Sequence, residues 1–187
     1  TLARLGYYVK LSETAQPNLS ANGTSDAAAV QETAEPFDAA AAKQDIIDRT
    51  NALRREKGVA ALTVNDKLMQ AAQVRADEIA ASGVYSHTRP DGRKSNTVTD
   101  SKYTGENLHN ISELYLNQQQ KTLSEAVVNL WSNSKAHADN MTSSRYGEIG
   151  VGLARGIDKD GFDCWYCVQV FLLDGCEVTW VDTPVMK

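Results

Sequence analysis

The chain has 187 residues, 42% of them hydrophobic and 23% charged, which suits one globular domain with a short additional segment. Its formal net charge of −5 disfavours a general nucleic-acid-binding role, because nucleic-acid-binding domains usually carry excess positive charge. No apolar run approaches the roughly 18 residues that a membrane-spanning helix requires, so we expect no membrane span.

The first part of the chain differs in composition from the rest. Residues 12–36 are rich in Ala, Ser, Thr, Gln and acidic residues and contain almost no large apolar side chains. Such a segment cannot bury enough surface to offset the entropy lost on ordering, so it is predicted to be a linker. Residues 1–11 end in a strand-like aromatic patch. We therefore expect residues 1–37 to form an arm and flexible linker, and residues 38–187 to form the folded domain.

Two helices are predicted at the start of this domain. Asp38 is a favourable N-cap for a helix that runs to Lys57, and Gly58 follows at the position where a left-handed residue ends a helix. Asn65 is a favourable N-cap for a second helix, which ends at Gly83. The inward face of the second helix consists largely of alanines, which predicts close packing against a neighbouring element.

The second half of the domain is predicted to contain one long helix and then strands. Thr122 and Glu125 form a capping box that starts the helix, which we expect to carry Trp131, Ser134 and His137 at i, i+3 and i+6. Strands are predicted near residues 148–155 and 162–172, with a final short strand at 177–181. Helices first and a hairpin last predict an α+β fold.

Three cysteines lie near the end of the chain, an odd number that is too small for a disulfide scaffold. Cys164 and Cys167 fall within a predicted strand, where positions three apart point to opposite faces, so we expect no bond between them. A disulfide from one of them to Cys176, across a turn at residues 174–175, is expected in preference to a zinc or redox role. The same alternation places odd-numbered positions of residues 164–171 on one face and even-numbered positions on the other.

Three motifs carry most of the potential chemistry. They are S-H-T-R-P-D-G-R at residues 86–93, G-E-N at 105–107, and W-x-x-S-x-x-H-x-x-N-M followed by Y-x-x-I-G-V-G at 131–152. In this order they resemble the bacterial branch of the CAP superfamily, which comprises cysteine-rich secretory proteins, antigen 5 and pathogenesis-related proteins. The resemblance covers residues 45–172. It implies a three-layer α-β-α sandwich with a small antiparallel sheet, and a secreted or cell-surface location.

The resemblance also implies a functional site. The best-known family members have an open cavity lined by two histidines and two glutamates that can hold a divalent metal. His87 and Glu106 match the first histidine and first glutamate. Ser134 stands where those members have the second glutamate, and Tyr166 where they have the second histidine. His137 belongs to the bacterial motif, on the turn after Ser134 if the helix continues.

Two imidazoles and one carboxylate suit a zinc-like ion with water in a fourth position. We therefore predict weakly bound zinc in a cavity lined by His87, Glu106 and His137, with Arg89, Ser134 and Tyr166 around it. Other roles remain open: Glu106 can instead cap backbone amides, and His137 can bond a turn carbonyl. Arg89 beside His87 can attract an anionic group or simply cap a loop. His109 lies outside the motif spacing.

The resemblance favours an extracellular binding module whose ligand is a cell-envelope component, a lipid or a protein partner. The alternative is a metal-dependent, peptidase-like hydrolase in which the ion activates water and Glu106 serves as the base. The absence of H-E-x-x-H, and of a compelling Ser-His-Asp or Cys-His arrangement, argues against the hydrolase. A purely structural or adhesion domain with a relic site is a third possibility.

Overall fold

A four-stranded sheet lies at the centre of the computed structural model, which describes residues 37–186. Its strands are β1 (Thr63–Val64), β2 (Thr104–Ser112), β3 (Tyr146–Ile157) and β4 (Asp163–Leu173). Their order is β1-β3-β4-β2, with β1 parallel to β3 and the other pairs antiparallel. The predicted arm and linker lie outside the described residues, except for Phe37, whose ring packs at a tilt against that of Trp165 with ring centroids 4.3 Å apart.

Helices cover both faces of this sheet. They are α1 (Ala39–Glu56), α2 (Asp66–Ser82), α3 (Glu113–Gln119), α4 (Leu123–Ser132) and α5 (Lys135–Met141), with a short 3₁₀ helix at Ser95–Val98. The α1 side of the sheet is packed by residues that include Ile46, Ile47, Val127, Trp131, Ile149 and Phe171. The α2 side is packed by residues that include Leu68, Ala72, Ala76, Leu108, Val168 and Val170. The predicted three-layer α+β fold is confirmed.

The helix ends follow the capping residues in the sequence. Asp38 Oδ1 accepts from the backbone of Ala41 at 3.0 Å and begins α1, and the left-handed Gly58 follows the last residues of that helix. Asn65 accepts from two backbone amides and begins α2, and Gly83 ends it with φ of 66°. Each cap satisfies groups that a helix terminus leaves without a partner. Both helices were predictable for this reason.

The third predicted helix divides into two. Thr122 Oγ1 accepts from the backbone of Glu125 at 3.2 Å and begins α4 as expected. However, α4 ends at Ser132, and Ser134 has an extended backbone with ψ of 117° and becomes the N-cap of α5. The prediction that one helix carries Trp131, Ser134 and His137 is therefore wrong. Asn and Ser favour such caps over helix interiors because they bond locally to the backbone.

Strand β4 alternates as predicted. Trp165, Cys167 and Phe171 join the core on the α1 side, and Cys164 and Tyr166 join the core on the α2 side. The predicted bridge to Cys176 is wrong, since all three cysteines are free. Cys176 donates its backbone N–H to Leu173 just beyond the strand's end. At about 3.3 Å per residue, that end lies roughly 20 Å from Cys167 and 30 Å from Cys164.

The predicted final strand at residues 177–181 is also absent from the described part of the chain. Only an isolated bridge joins Val181 to Thr99. Residues 177–186, called the C-terminal strap below, instead run beside the loop that contains the S-H-T-R-P-D-G-R motif. The backbone of Asp182 donates to Val98 O at 2.8 Å, and Thr179 donates to Asp100.

Side chains donate hydrogen bonds to backbone carbonyl groups along the outer edge of β2. The Tyr85 hydroxyl donates to Leu108 O at 2.7 Å, and His109 Nδ1 donates to Asn110 O at 2.8 Å. Asn140 Nδ2 reaches Glu106 O at 3.5 Å. These three carbonyls belong to alternate residues of the strand and so point in the same outward direction. Three carbonyl groups of this sheet edge thus have partners within the domain.

Candidate functional site

The structure brings His87 and Glu106 together at the edge of the sheet. Glu106 lies on β2, and His87 lies in the loop that follows α2. His87 Nδ1 is 2.8 Å from Glu106 Oε1. A carboxylate can only accept, so Nδ1 carries the proton of this hydrogen bond. The opposite ring nitrogen, Nε2, is therefore the atom that neutral His87 offers as an acceptor or a metal ligand.

A buried arginine supports this pair from behind. Arg75 Nε donates to Glu106 Oε2 at 2.9 Å, and another guanidinium nitrogen donates to Ser86 O at 2.8 Å. A third contact joins Arg75 to Glu78 at 2.7 Å. The sequence contained a signal for this role, because Arg75 lies at helical spacing among the apolar residues Leu68, Ala72 and Ile79 of α2. Its partners were not visible in the sequence.

Exposure increases steadily along this chain of contacts. The side chain of Arg75 is 0% exposed, that of Glu106 is 7% exposed, and that of His87 is 60% exposed. The hydrogen bond to Glu106 raises the pKa of His87 above its ordinary value, although partial burial and the charge of Arg75 oppose the rise. The site is thus an accessible imidazole anchored on a buried ion pair.

Arg89 does not line this site, so the prediction that it does is wrong. It is buried, and its guanidinium donates to Glu78 at 2.9 Å and to Asp182 at 2.7 Å. It also donates to the carbonyl of Thr183 at 3.1 Å. All of these partners lie within the domain, and they leave Arg89 no access to an external anion. The loop-capping role considered for Arg89 fits these contacts.

Glu78 lies at the centre of a buried ionic network. It accepts hydrogen bonds from Arg75 on one side and Arg89 on the other, and from the backbone N–H of Val185 at 3.0 Å. The network therefore joins α2, the His87 loop and the C-terminal strap. Buried charges are tolerated only when they are paired in this way, because each loses its hydration.

His137 lies beside the pair without bonding to it. Its carbonyl accepts from Asn107 Nδ2 at 3.1 Å, which fixes α5 against β2 next to Glu106. Its ring Nδ1 is buried and has no hydrogen-bond partner among residues 37–186. Burial lowers the pKa of His137, and the nearby imidazoles of His109 and His87 lower it further. The three histidines thus gather around the outer edge of β2.

Two other predicted residues have different roles. Tyr166 is buried in the core on the α2 side, and its hydroxyl donates to Ile157 O at 3.1 Å. The prediction that it lines the cavity is therefore wrong. Ser134 is the half-buried N-cap of α5, and its hydroxyl makes no capping hydrogen bond. It stands just before the helix that carries His137.

A family model described as the cysteine-rich secretory protein family, CAP, matches residues 47–171. This match covers more than half of the chain. The chain belongs to the CAP family. The family prediction made from the three motifs is confirmed.

Individual relatives agree with this assignment. The CAP chain is 28% identical over 126 residues to the Bacillus subtilis (strain 168) protein YkwD, a match that covers 64% of this chain and 45% of YkwD. An extracellular protein from Bacillus anthracis that contains an SCP domain has a TM-score of 0.55 and 18% identity, with 75% of this chain and 45% of that chain covered. An outer surface protein of Borrelia burgdorferi has a TM-score of 0.53 and 18% identity, with 73% and 96% covered. At these identities the structures show the fold alone.

The metal site predicted for this CAP domain is not preassembled. Within residues 37–186, no three His, Cys, Asp or Glu side chains converge closely enough to hold an ion. One oxygen of Glu106 accepts a hydrogen bond from His87 and the other accepts one from Arg75. The carboxylate is therefore directed at these two side chains and not at a point shared with His137. Among the same residues, no helix is both long and apolar enough to cross a membrane.

Proposed function

We propose that this CAP domain is a secreted or cell-surface binding module whose ligand contacts His87. The observation that carries the proposal is the exposed imidazole held by the buried Glu106–Arg75 pair. Burying a carboxylate and a guanidinium is costly, and an exposed surface histidine needs no such support. An arrangement that fixes the ring in one orientation suits a group that recognises a ligand.

The ligand is a polar component of the cell envelope, a lipid headgroup or a protein partner. Neutral His87 accepts a hydrogen bond through Nε2, and protonated His87 donates one from the same atom. The extracellular and outer-surface descriptions of the structural neighbours support placement outside the cell.

A divalent ion such as zinc is the simplest ligand that this geometry would accept. His87 would supply Nε2, with Glu106 behind it in the carboxylate–histidine arrangement that orients many zinc ligands. His137, whose pKa is lowered and which is therefore neutral over a wider pH range, would supply a second imidazole. Because Glu106 is engaged elsewhere, only two protein ligands would remain, and the ion would be held weakly and exchangeably.

The same contacts disfavour the hydrolase. A general base must reach its substrate or a water directly, whereas Glu106 is 7% exposed and each of its oxygens already accepts a hydrogen bond, one from His87 and one from Arg75. The binding module is therefore the function that the geometry supports best.

Zinc titration of the wild type, His87→Ala and His137→Ala at pH 7.5, followed by calorimetry, tests the metal part. We expect weak binding by the wild type and a clear loss in both variants. His109→Ala is the matched control, because its ring bonds the backbone of β2 and should leave zinc binding unchanged. Equal zinc binding by the wild type and His87→Ala would contradict the assignment.

Co-sedimentation with purified peptidoglycan and with lipid vesicles tests the envelope part. We expect the wild type and His109→Ala to pellet with one of these materials and His87→Ala to stay in the supernatant. If the wild type pellets with neither, peptidoglycan and the lipids of these vesicles are excluded as ligands of His87. If His87→Ala pellets as well as the wild type, His87 is not the contact.

A further inference from the structure

Arg75 contacts both segments that present the His87 imidazole. Its Nε donates to Glu106, the hydrogen-bond partner of His87, at 2.9 Å. A second nitrogen donates to the carbonyl of Ser86, the residue immediately before His87, at 2.8 Å. One rigid guanidinium thus spans the β2 strand and the loop, and its distances to both are those of good hydrogen bonds.

The guanidinium is itself held in place. Glu78, one helical turn further along α2, binds the third nitrogen at 2.7 Å, and both side chains are 0% exposed. Glu78 is in turn fixed by Arg89 from the loop and by the backbone of Val185 from the strap. The orientation of Arg75 is therefore determined by three separate parts of the chain.

We propose that Arg75 is a positioning residue that orients His87 for its ligand through Glu106 and Ser86. This inference rests on the proposed function of His87 as a ligand contact. By holding Oε2, Arg75 leaves Oε1 as the only oxygen directed at the ring, so that the proton stays on Nδ1. The Nε2 lone pair of the neutral ring then faces outward. By holding the carbonyl of Ser86, Arg75 also fixes the backbone from which the ring projects.

A lysine cannot replace this function. Its ammonium is a single compact donor group on a flexible stem, whereas the two arms of Arg75 reach different segments from a planar fork. Arg75→Lys preserves the buried charge next to Glu78 but cannot span both contacts in the same geometry. The variant thus separates the positioning role from the simple need for a cation.

The test is the tautomer of His87, measured by nitrogen-15 NMR at a pH where the ring is neutral. We expect the wild type to show the Nδ1–H form. Arg75→Lys should shift His87 toward a mixture with the Nε2–H form. Arg49→Lys is the matched control, because Arg49 makes a half-exposed ion pair with Asp45 on α1, and it should leave the tautomer unchanged. A folded Arg75→Lys with the wild-type tautomer would overturn the proposal.

If Arg75→Lys does not fold, the contact between Arg75 and Glu106 can still be tested by NMR in the wild-type protein. The Nε–H of Arg75 should exchange slowly with solvent and show a coupling across its hydrogen bond to the Glu106 carboxylate. A rapidly exchanging, uncoupled Nε–H would overturn the proposal.

Zinc binding provides a separate readout. Where the wild type binds zinc, Arg75→Lys should weaken the affinity by about tenfold, the lower end of the effect of removing an outer-shell partner. If no zinc binds to the wild type, the metal part of the proposed function fails, and the tautomer result remains valid on its own.

Discussion

At His87, a single hydrogen bond fixes which ring nitrogen carries the proton and also favours the charged form of the ring. The bond from Nδ1 to Glu106 raises the pKa of His87. A group whose pKa is raised on folding stabilises the folded state most when it is fully protonated. Its contribution is complete below about 6.5, the ordinary histidine value, and is lost as the pH rises through the raised pKa.

His87→Gln should therefore destabilise the protein in a pH-dependent way. We expect the wild type to exceed the variant in Tm at pH 5.5, because the imidazolium–carboxylate contact is then complete. The difference should shrink as the pH rises to 8. Thermal unfolding followed by circular dichroism at several pH values measures it. A difference in Tm that stays constant across this range would show that the bond to Glu106 does not depend on the charge of the ring.

The contribution of Asp182 to stability depends on pH in the opposite direction from that of His87. The hydrogen bond from Arg89 holds the pKa of this carboxyl below its usual range. Its contribution to stability is therefore present above about 3.9, the ordinary aspartate value, and is lost as the pH falls through the lowered pKa.

Asp182→Asn should lower the free energy of unfolding at pH 7 by about 1–3 kcal/mol, as expected for a lost charged hydrogen bond. The difference in free energy of unfolding between wild type and variant should narrow as the pH falls below about 3.9, because the carboxyl of the unfolded chain is then protonated before that of the folded chain. Urea unfolding at pH 7 and pH 3.5 provides the comparison. Asp160→Asn is the control, since its ion pair with Lys159 is exposed, and an equal loss in that variant would refute the argument.

At the scale of elements, α2 packs closely against β3 at two glycines. A Cβ atom added to Gly152 would lie 2.1 Å from Ala72 O, and one added to Gly150 would lie 2.0 Å from the backbone of Leu68. Backbone cannot yield as a side-chain tip can, so a substitution here would force the helix away from the sheet. Because α2 carries Arg75, such a shift would also disturb the site.

Gly152→Ala should therefore lower the free energy of unfolding by more than a glycine-to-alanine change at a helix end or turn. We expect a loss of at least roughly 1–3 kcal/mol in the free energy of unfolding, the range for overpacking a core. Gly58→Ala is the comparison, because its Cβ would meet open space and only the left-handed backbone would be strained, at about 1 kcal/mol. Chemical denaturation ranks the two, and a smaller loss at Gly152 would contradict the close-packing account.

At the scale of the whole molecule, local signals predicted more of the fold than of the site. Asp38 and Asn65 allowed the first two helices to be predicted, because an N-cap residue bonds to backbone groups within one turn of the chain. The motifs singled out His87 and Glu106, which share a hydrogen bond in the structure. The role of Arg75 was missed, because its partners come from β2 and the loop and meet only in three dimensions. The disulfide to Cys176 was wrongly expected, because β4 is long enough to keep Cys164 and Cys167 far from the turn that precedes Cys176.

The C-terminal strap supports the His87 loop from outside. Truncating the chain after Glu177 would remove Asp182 from Arg89 and the Val185 amide from Glu78. Arg89 and Glu78 would stay paired with each other, so we expect a loss of about 1.5–3 kcal/mol for each contact removed, the usual value for a hydrogen bond to a charged group. Hydrogen exchange should rise more in residues 86–99 than in α1. Uniform protection in the truncated protein would show that the strap is dispensable.

The filled outer edge of β2 restricts how a protein ligand can approach the histidines. A peptide that joins a sheet as an additional strand needs free carbonyl groups along the edge. Here Tyr85 and His109 already donate to the carbonyls of Leu108 and Asn110. An arriving backbone would have to compete with both side chains for these two carbonyls. We therefore expect a protein ligand to gain less from strand pairing here and more from its side chains or its terminus, so that sequence changes in the ligand should alter its affinity.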